Sequence, residues 1–310
     1  MDRLSVTIPS DRPDCSKVGE SRYQKLRASA KAQGRDPAFA FRLYCFEGML
    51  ARLQASRWAD AWALKGGMIV LTLPGDGLVR VTSDLDFTCS GDVTMPEVIA
   101  IFRELCDSVP AEEDGIVFSL AEGNSRLMRE QFEHPTARLA IRATLVNACA
   151  GVDAPFVVDV TGAEGPVATR AVTLPKLYKG HVPPTVPGYT WERVLAEKLQ
   201  TIRRCGAAAG RMRDLWDVCA ISRRVDLDLD AVAEEVAAVF ALRGTELDDP
   251  RGWDGLAPAS ATAPDRARNW DGLMKRAGAD RDAPRDLAAT LDEVRDFASR
   301  VAARAPAPAM

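Results

Sequence analysis

Histidine is nearly missing from this 310-residue chain, which has only His134 and His181. Neither H-E-x-x-H nor G-x-S-x-G occurs, so neither a two-histidine zinc helix nor a hydrolase nucleophile elbow has a basis. His134 precedes Pro135 and His181 follows Gly180, settings that read as loops. The seven cysteines are odd in number, scattered, and never spaced C-x-x-C. A disulfide framework and a structural zinc site are therefore not expected, and most of the thiols read as small buried hydrophobes. No apolar run approaches the roughly 20 residues that cross a bilayer. The first twenty residues lack the apolar core of a signal peptide, so a cytoplasmic protein without a membrane partner is expected. A strong basic excess is also missing. The net charge of −4 and pI near 5.5 argue against coating nucleic acid through bulk charge. Walker A, G-x-x-x-x-G-K-[ST], is absent.

What is present is an ordinary globular composition, 47% apolar and 27% charged, with enough length for one large domain or two medium ones. Residues 1–18 are polar, contain proline and are expected to lack order. Residues 21–56 read as helical, with Leu43, Phe46, Met49, Leu50 and Leu53 at three- and four-residue spacing. Strands are expected at 78–88, 115–120, 138–145 and 155–160, and a helix at 95–109. Pro183, Pro184, Pro187 and Gly188 read as a stiff connector. Helices are expected beyond it at 191–204, 211–223, 229–242 and 288–303, with a loop at 248–264 and a tail at 305–310. The layout is α/β: a mixed sheet with flanking helices over 19–190, followed by a helical domain over 191–304.

The chemistry concentrates in a few segments. In the strand pattern Arg80-Val-Thr82-Ser-Asp84-Leu-Asp86-Phe87, alternation places Arg80, Thr82, Asp84 and Asp86 on one face. The two carboxylates then point the same way with Cα atoms roughly 7 Å apart, an arrangement that is costly without a cation between them. Mg²⁺ is the natural hard partner. A wet strand face would look the same. Asp159 adds weight, because it interrupts the apolar run Phe156-Val-Val-Asp159-Val160, where a charge needs a partner. If its strand adjoins the first, three carboxylates could hold two metal ions for displacement at phosphorus. Lys65, Gly66 and Gly67 stand before a short apolar stretch, where paired glycines let the backbone approach a phosphate. Turns also use that pair. On the helix from Trp191, Lys198 falls within the apolar stripe and either snorkels or reaches an anion. The next helix carries Asp214 and Asp217, both off its main stripe. Residues 191–224 hold eight basic and four acidic side chains. This is most simply a solvated face, or else a site for a phosphate-bearing partner.

Taken together, Leu64-Lys65-Gly66-Gly67, Arg80-x-Thr82-x-Asp84-Leu-Asp86-Phe87, Val158-Asp159-Val160, Leu195-Ala-Glu-Lys198-Leu199 and Arg213-Asp-Leu-Trp-Asp217 resemble the AbiEii-type toxins. These are the nucleotidyltransferase-like toxins of bacterial toxin–antitoxin systems. Order and spacing agree over roughly residues 20–225, including the helix around Arg42–Leu53. The resemblance implies a minimal nucleotidyltransferase fold, an NTP substrate, and Mg²⁺ or Mn²⁺ held by Asp84, Asp86 and Asp159. It also implies Lys65, Gly66, Gly67, Arg80 and Thr82 at the nucleotide, Lys198 at its phosphates, and a catalytic role for Asp217. The implied acceptor is a tRNA 3′ end, and the implied regulator a cognate antitoxin. Trp216 departs from the family's usual Tyr or Phe. Two other readings stay open. One is a phosphatase, since Asp84-Leu-Asp86-Phe-Thr88 fits D-x-D-x-T, although that fold wants an apolar strand running into the first Asp. The other is a non-catalytic nucleotide- or antitoxin-binding module.

Overall fold

The computed structural model describes residues 15–75, 82–90, 94–128, 136–146, 151–163, 167–277 and 283–306. In chain order the elements are α1 (Cys15–Ala32), α2 (Pro37–Gln54), β1 (Trp62–Lys65), α3 (Gly67–Val70), β2 (Asp84–Ser90), α4 (Met95–Asp107), β3 (Ile116–Leu120), β4 (Arg126–Met128) and β5 (Thr136–Leu145). β6 (Val152–Asp153), β7 (Phe156–Ala163), β8 (Thr169–Thr173) and β9 (Thr185–Tyr189) follow. Then come α5 (Trp191–Cys205), α6 (Met212–Arg224), α7 (Leu229–Leu242), α8 (Pro264–Ala277) and α9 (Leu287–Ala302). The chain divides into two compact units. One comprises Met1–Leu64, Ser83–Ala163 and Ala171–Pro187, the other Lys65–Thr82, Glu164–Arg170 and Gly188–Met310.

The first unit is built on a mixed sheet of order β3-β5-β7-β2-β1-β9-β8, with β4 and β6 also paired to β5. β2 and β7 run parallel, while β5 lies antiparallel to β7. Alternation along β2 sends Leu85 and Phe87 into the core, 0% and 1% exposed, and leaves Asp84 and Asp86 half-buried on the other face. Trp62, Phe87 and Phe102 close an aromatic cluster with ring centroids 5.7 to 6.5 Å apart. Each such ring contributes about 1.5–3 kcal/mol through burial. α2 is apolar nearly all round and correspondingly buried. Its start is fixed by the Asp36 carboxylate, which accepts from the Ala38 N–H at 2.9 Å, and by Pro37 in the first turn.

The single helix expected over 21–56 is two helices. Gly34, at φ 65, takes the left-handed conformation that stops α1, and Pro37 restarts the chain as α2. α1 itself begins at Cys15, inside the stretch expected to lack order. The proline-rich connector contains a strand, β9. Val186 and Tyr189 are buried there, and burial prevails over a proline that cannot donate to the ladder.

The second unit holds α3 and α5–α9. α5 is capped by Thr190, whose hydroxyl accepts from the Arg193 N–H at 3.3 Å. The expected loop at 248–264 is a string of short 3₁₀ turns (Pro250–Gly252, Asp254–Leu256, Pro258–Thr262) that leads into α8. Trp253 and Leu256 lie in the core there, 1% and 0% exposed. Composition alone read the segment as loop because its apolar residues follow neither a period of two nor one of 3.6. No helix among the described residues is long and apolar enough to cross a membrane.

Candidate active site

β2 carries the acidic pair. Its parallel register with β7 sets Asp86 beside Asp159, and the antiparallel register of β5 with β7 sets Arg138 opposite Asp159. Arg138, Asp159 and Asp86 thus form one row across three neighbouring strands, with Asp84 two residues along. Asp159, 5% exposed, receives both arms of the Arg138 guanidinium, Nε to Oδ1 at 2.8 Å and Nη2 to Oδ2 at 2.6 Å. This is the bidentate geometry that makes an arginine–carboxylate pair strong and directional. The hydrogen bond to Asp159, and after it the charges of Asp159, Asp84 and Asp86, hold the Arg138 proton more tightly than usual.

Arg138 is therefore a resident cation in the acidic row. It was missed in the sequence, where it is one of two arginines in a largely apolar strand, because the register that aims it at Asp159 is a tertiary fact. The clamp bears on metal binding. Among the described residues no three His, Cys, Asp or Glu side chains converge as a cation site. Asp84 and Asp86 nevertheless fit a hard divalent ion, since Mg²⁺ is commonly held by one or two carboxylates and completes its shell with phosphate and water oxygens. Thr82 is buried just ahead of the pair, and Arg80 lies outside the described residues.

The second unit carries the other expected site residues. At the end of β1, Lys65 leads into Gly66, whose φ of 66 and ψ of −146 suit glycine alone. The helix that follows, α3, opens at Gly67 and lasts a single turn. On α5, Lys198 lies within the buried stripe, 9% exposed; it does not snorkel, and the anions it reaches are carboxylates of its own unit. Its Nζ stands 2.5 Å from Asp217 Oδ2 and 3.1 Å from Asp214 Oδ1. Asp217 is fully buried. The helical wheel left both aspartates off the main stripe of α6, but the helix is buried without a break from Leu215 to Ile221, so the stripe was drawn too narrow. Burial works against the neighbouring Glu197 carboxylate. The charges of Lys65, Arg243 and Arg193 more than offset it, and Glu197 titrates below its usual range.

The basic excess of 191–224 is largely answered from inside the unit. Arg203 forms a bidentate pair with Asp248, both bonds 2.8 Å, and Arg223 one with Glu293 at 2.7 and 2.6 Å. Arg193 reaches Glu235 at 3.0 Å. The phosphatase pattern fares poorly on geometry. That reading needs a strand ending at the first Asp, whereas β2 begins at Asp84, and the Thr88 hydroxyl is spent on the Thr161 carbonyl at 3.3 Å. The two histidines divide. His134 lies outside the described residues, and His181 is buried in the first unit.

Compared with known proteins, the chain matches over residues 48–300 the family model described as the nucleotidyl transferase AbiEii toxin of a type IV TA system. Among solved structures, MenT4, a nucleotidyltransferase toxin from Mycobacterium tuberculosis H37Rv, is similar at TM-score 0.50 and 21% identity, over 91% of this chain and 99% of that one. A candidate nucleotidyltransferase from H. pylori gives TM-score 0.46 and 15% identity, over 86% of this chain and 95% of that one. JHP933 from Helicobacter pylori gives 0.41 and 15%, over 84% and 89%. A search among curated proteins returns no match. The mixed sheet with flanking helices is that of the nucleotidyltransferase toxins.

Proposed function

The chain belongs to the AbiEii family of nucleotidyltransferase toxins, and from that premise we propose that it transfers a nucleoside monophosphate from an NTP to an acceptor hydroxyl, that of a tRNA 3′ end. The observation that carries this reading is the pair Asp84 and Asp86 on one face of β2, beside the Asp159–Arg138 clamp. The acceptor oxygen attacks the α-phosphorus, the bond to the β-phosphate oxygen breaks, and pyrophosphate leaves. Asp84 and Asp86 would hold Mg²⁺ or Mn²⁺, Asp159 would join them as the third acidic position only by giving up its Arg138 clamp, and the ion when bound would neutralise the phosphate oxygens.

The chain's own groups do the rest. The backbone at Gly66 and Gly67 takes phosphate oxygens close to its N–H groups, and Gly66 does so at a φ that only a residue without a Cβ adopts freely. Lys65, Arg80 and Thr82 complete the nucleotide contacts. Lys198 offsets charge building on the departing pyrophosphate, and Asp217 holds the ammonium in place until then. A cognate antitoxin would restrain the activity, as the type IV family description implies, and the cytoplasm is the expected compartment.

The test is to incubate the protein with Mg²⁺, total tRNA and each labelled NTP in turn, beside Asp84→Ala. Label on RNA with the wild type alone supports the proposal. Wild-type-only label on protein would keep the chemistry and replace the acceptor. NTP binding without any transfer would favour the non-catalytic module and remove the assigned roles.

A further inference from the structure

A second concave site lies wholly within the first unit, between α2, the loop before β3 and the turn after β8. It is a cleft of about 290 Å³. Its most deeply buried polar group is Glu47 on α2, 2% exposed, with neither carboxyl oxygen hydrogen-bonded among the described residues. His181 stands close by, its Nε2 3.1 Å from Glu47 Oε2 but without the alignment of a hydrogen bond. His181 cannot supply charge. Its Nδ1 accepts the Leu177 N–H at 3.2 Å, which fixes the proton on Nε2, and burial lowers its pKa to about 4. Burial likewise pushes the Glu47 carboxyl well above its usual range, and no neighbouring cation offsets that shift. A carboxyl group held in this way is costly unless a cation reaches it.

We propose that this cleft is a docking pocket for an arginine or lysine side chain carried by a protein partner. Three features of the lining select that occupant. Charge is the first. Glu47, Glu112, Glu113 and Asp114 line the cleft against one lining guanidinium, Arg22, which lies over the Tyr178 ring at 5.9 Å. Asp114 is already answered from behind by Arg52 at 2.6 Å and Glu113 Oε1 accepts the Gly115 N–H at 2.9 Å, so Glu47, Glu112 and the second oxygen of Glu113 remain to receive a positive group. The same surplus repels a phosphate backbone. Aromatic walls are the second feature. Tyr44 and Tyr178 flank His181 with centroids 5.9 and 4.9 Å away, and the Tyr178 ring already faces Arg22 and Lys25 at 5.9 and 5.8 Å, so this is a wall that cations favour.

Apolar shoulders are the third. Val182 lines the cleft and is 87% exposed, and Val109, next to the lining residue Pro110, is 64% exposed. These are the two most exposed large hydrophobic side chains among the described residues. A free small amine would use the floor and leave the shoulders bare. A basic side chain flanked by apolar neighbours on a partner's surface covers both.

The test uses the full-length protein and calorimetric titration with three probes. These are the blocked tripeptide acetyl-Val-Arg-Val-amide, the same peptide with norleucine in place of arginine, and agmatine. The arginine peptide is expected to bind at least about tenfold more tightly than the norleucine peptide, a factor set by one charge-assisted contact, and about tenfold more tightly than agmatine, which leaves the apolar shoulders bare. Glu47→Gln should weaken it about tenfold, and so should the surface double variant Glu112→Lys/Glu113→Lys, which does not disturb the buried floor. Repeating the titration in buffers of different ionisation enthalpy should show a proton released from Glu47 on binding, and none from Glu47→Gln. The groups that face Glu47 in this measurement are Arg22 from α1, Tyr44 from α2, Glu112, Glu113 and Asp114 from the loop, and Tyr178 and His181 from the turn. Equal binding of the norleucine peptide, no loss in the double variant, or no binding of either peptide would overturn the proposal. Agmatine binding as tightly as the peptide would overturn the protein partner and leave a small-amine site.

Discussion

At the scale of single residues, ion pairs in the interior decide most outcomes. Lys198 and Asp217 are 11% and 0% exposed at their side chains, so removing the ammonium leaves a carboxylate stranded in the core. Lys198→Ala is expected to lose about 3 kcal/mol of stability as well as activity, whereas Lys198→Ala with Asp217→Asn should recover much of the stability and none of the activity. Urea denaturation beside a transfer assay separates the two effects. Arg138→Ala should cost less, about 2 kcal/mol, because the guanidinium is 29% exposed while its partner carboxylate is 7% exposed. It should also change divalent-ion affinity, since it frees both Asp159 oxygens, and Mn²⁺ binding followed by EPR reads that change without turnover. The Glu47–His181 pair ties stability to pH. A carboxyl raised above its ordinary 4.5 stabilises the fold below that value and loses the contribution as pH rises. A histidine lowered from 6.5 to about 4 loses its contribution as pH falls between those values. His181 contributes no slope above about pH 6.5, and the raised Glu47 carboxyl makes the wild type melt progressively lower relative to Glu47→Gln as pH is raised from its ordinary range. Parallel melting curves from about pH 5 to 8 would mean that Glu47 titrates as it does in the unfolded chain.

At the scale of elements, regular periodicity made the structure legible. β3, β5, α4, α5 and α7 lie within a residue or two of where their patterns put them, β7 runs three residues past its expected end, and Asp84, Asp86 and Asp159 were identifiable as charges at positions where alternation or burial makes charge expensive. What the pattern could not carry was partnership. That Asp86 lies beside Asp159, and that Arg138 closes on Asp159, follow from strand register, which no single segment encodes. That Asp214 and Asp217 meet Lys198 depends on how α6 is rotated against α5. The segment 248–264 defeated periodicity altogether, because its short 3₁₀ turns bury side chains one at a time. Its importance to the unit is open to measurement. Trp253 is 1% exposed, stacks on Phe240 at 5.8 Å and donates its indole N–H to Asp248 at 2.6 Å. Trp253→Ala is expected to cost about 3–5 kcal/mol. A loss under about 1 kcal/mol, typical of exposed positions, would return the segment to the status of a loop.

At the scale of the whole molecule, charge is managed inwardly. Arg193, Arg203 and Arg223 are held by carboxylates of their own unit, so the eight basic residues of 191–224 do not act as a free basic strip. If the acceptor is tRNA, its affinity should fall only shallowly with salt, with a logarithmic slope gentler than about −3, rather than the roughly −6 that eight phosphate contacts would give. A steep slope would mean that those internal pairs open on binding. The threading of the chain matters in another way. The second unit takes in residues 65–82 and 164–170 as well as everything from 188 onward. A ribosome therefore delivers pieces of it long before the rest exists, and the first unit is incomplete until Pro187 has emerged. A nascent chain stalled or cleaved near residue 190 would expose segments whose partners have not yet been made, and what leaves the ribosome early is a substrate for chaperones and proteases.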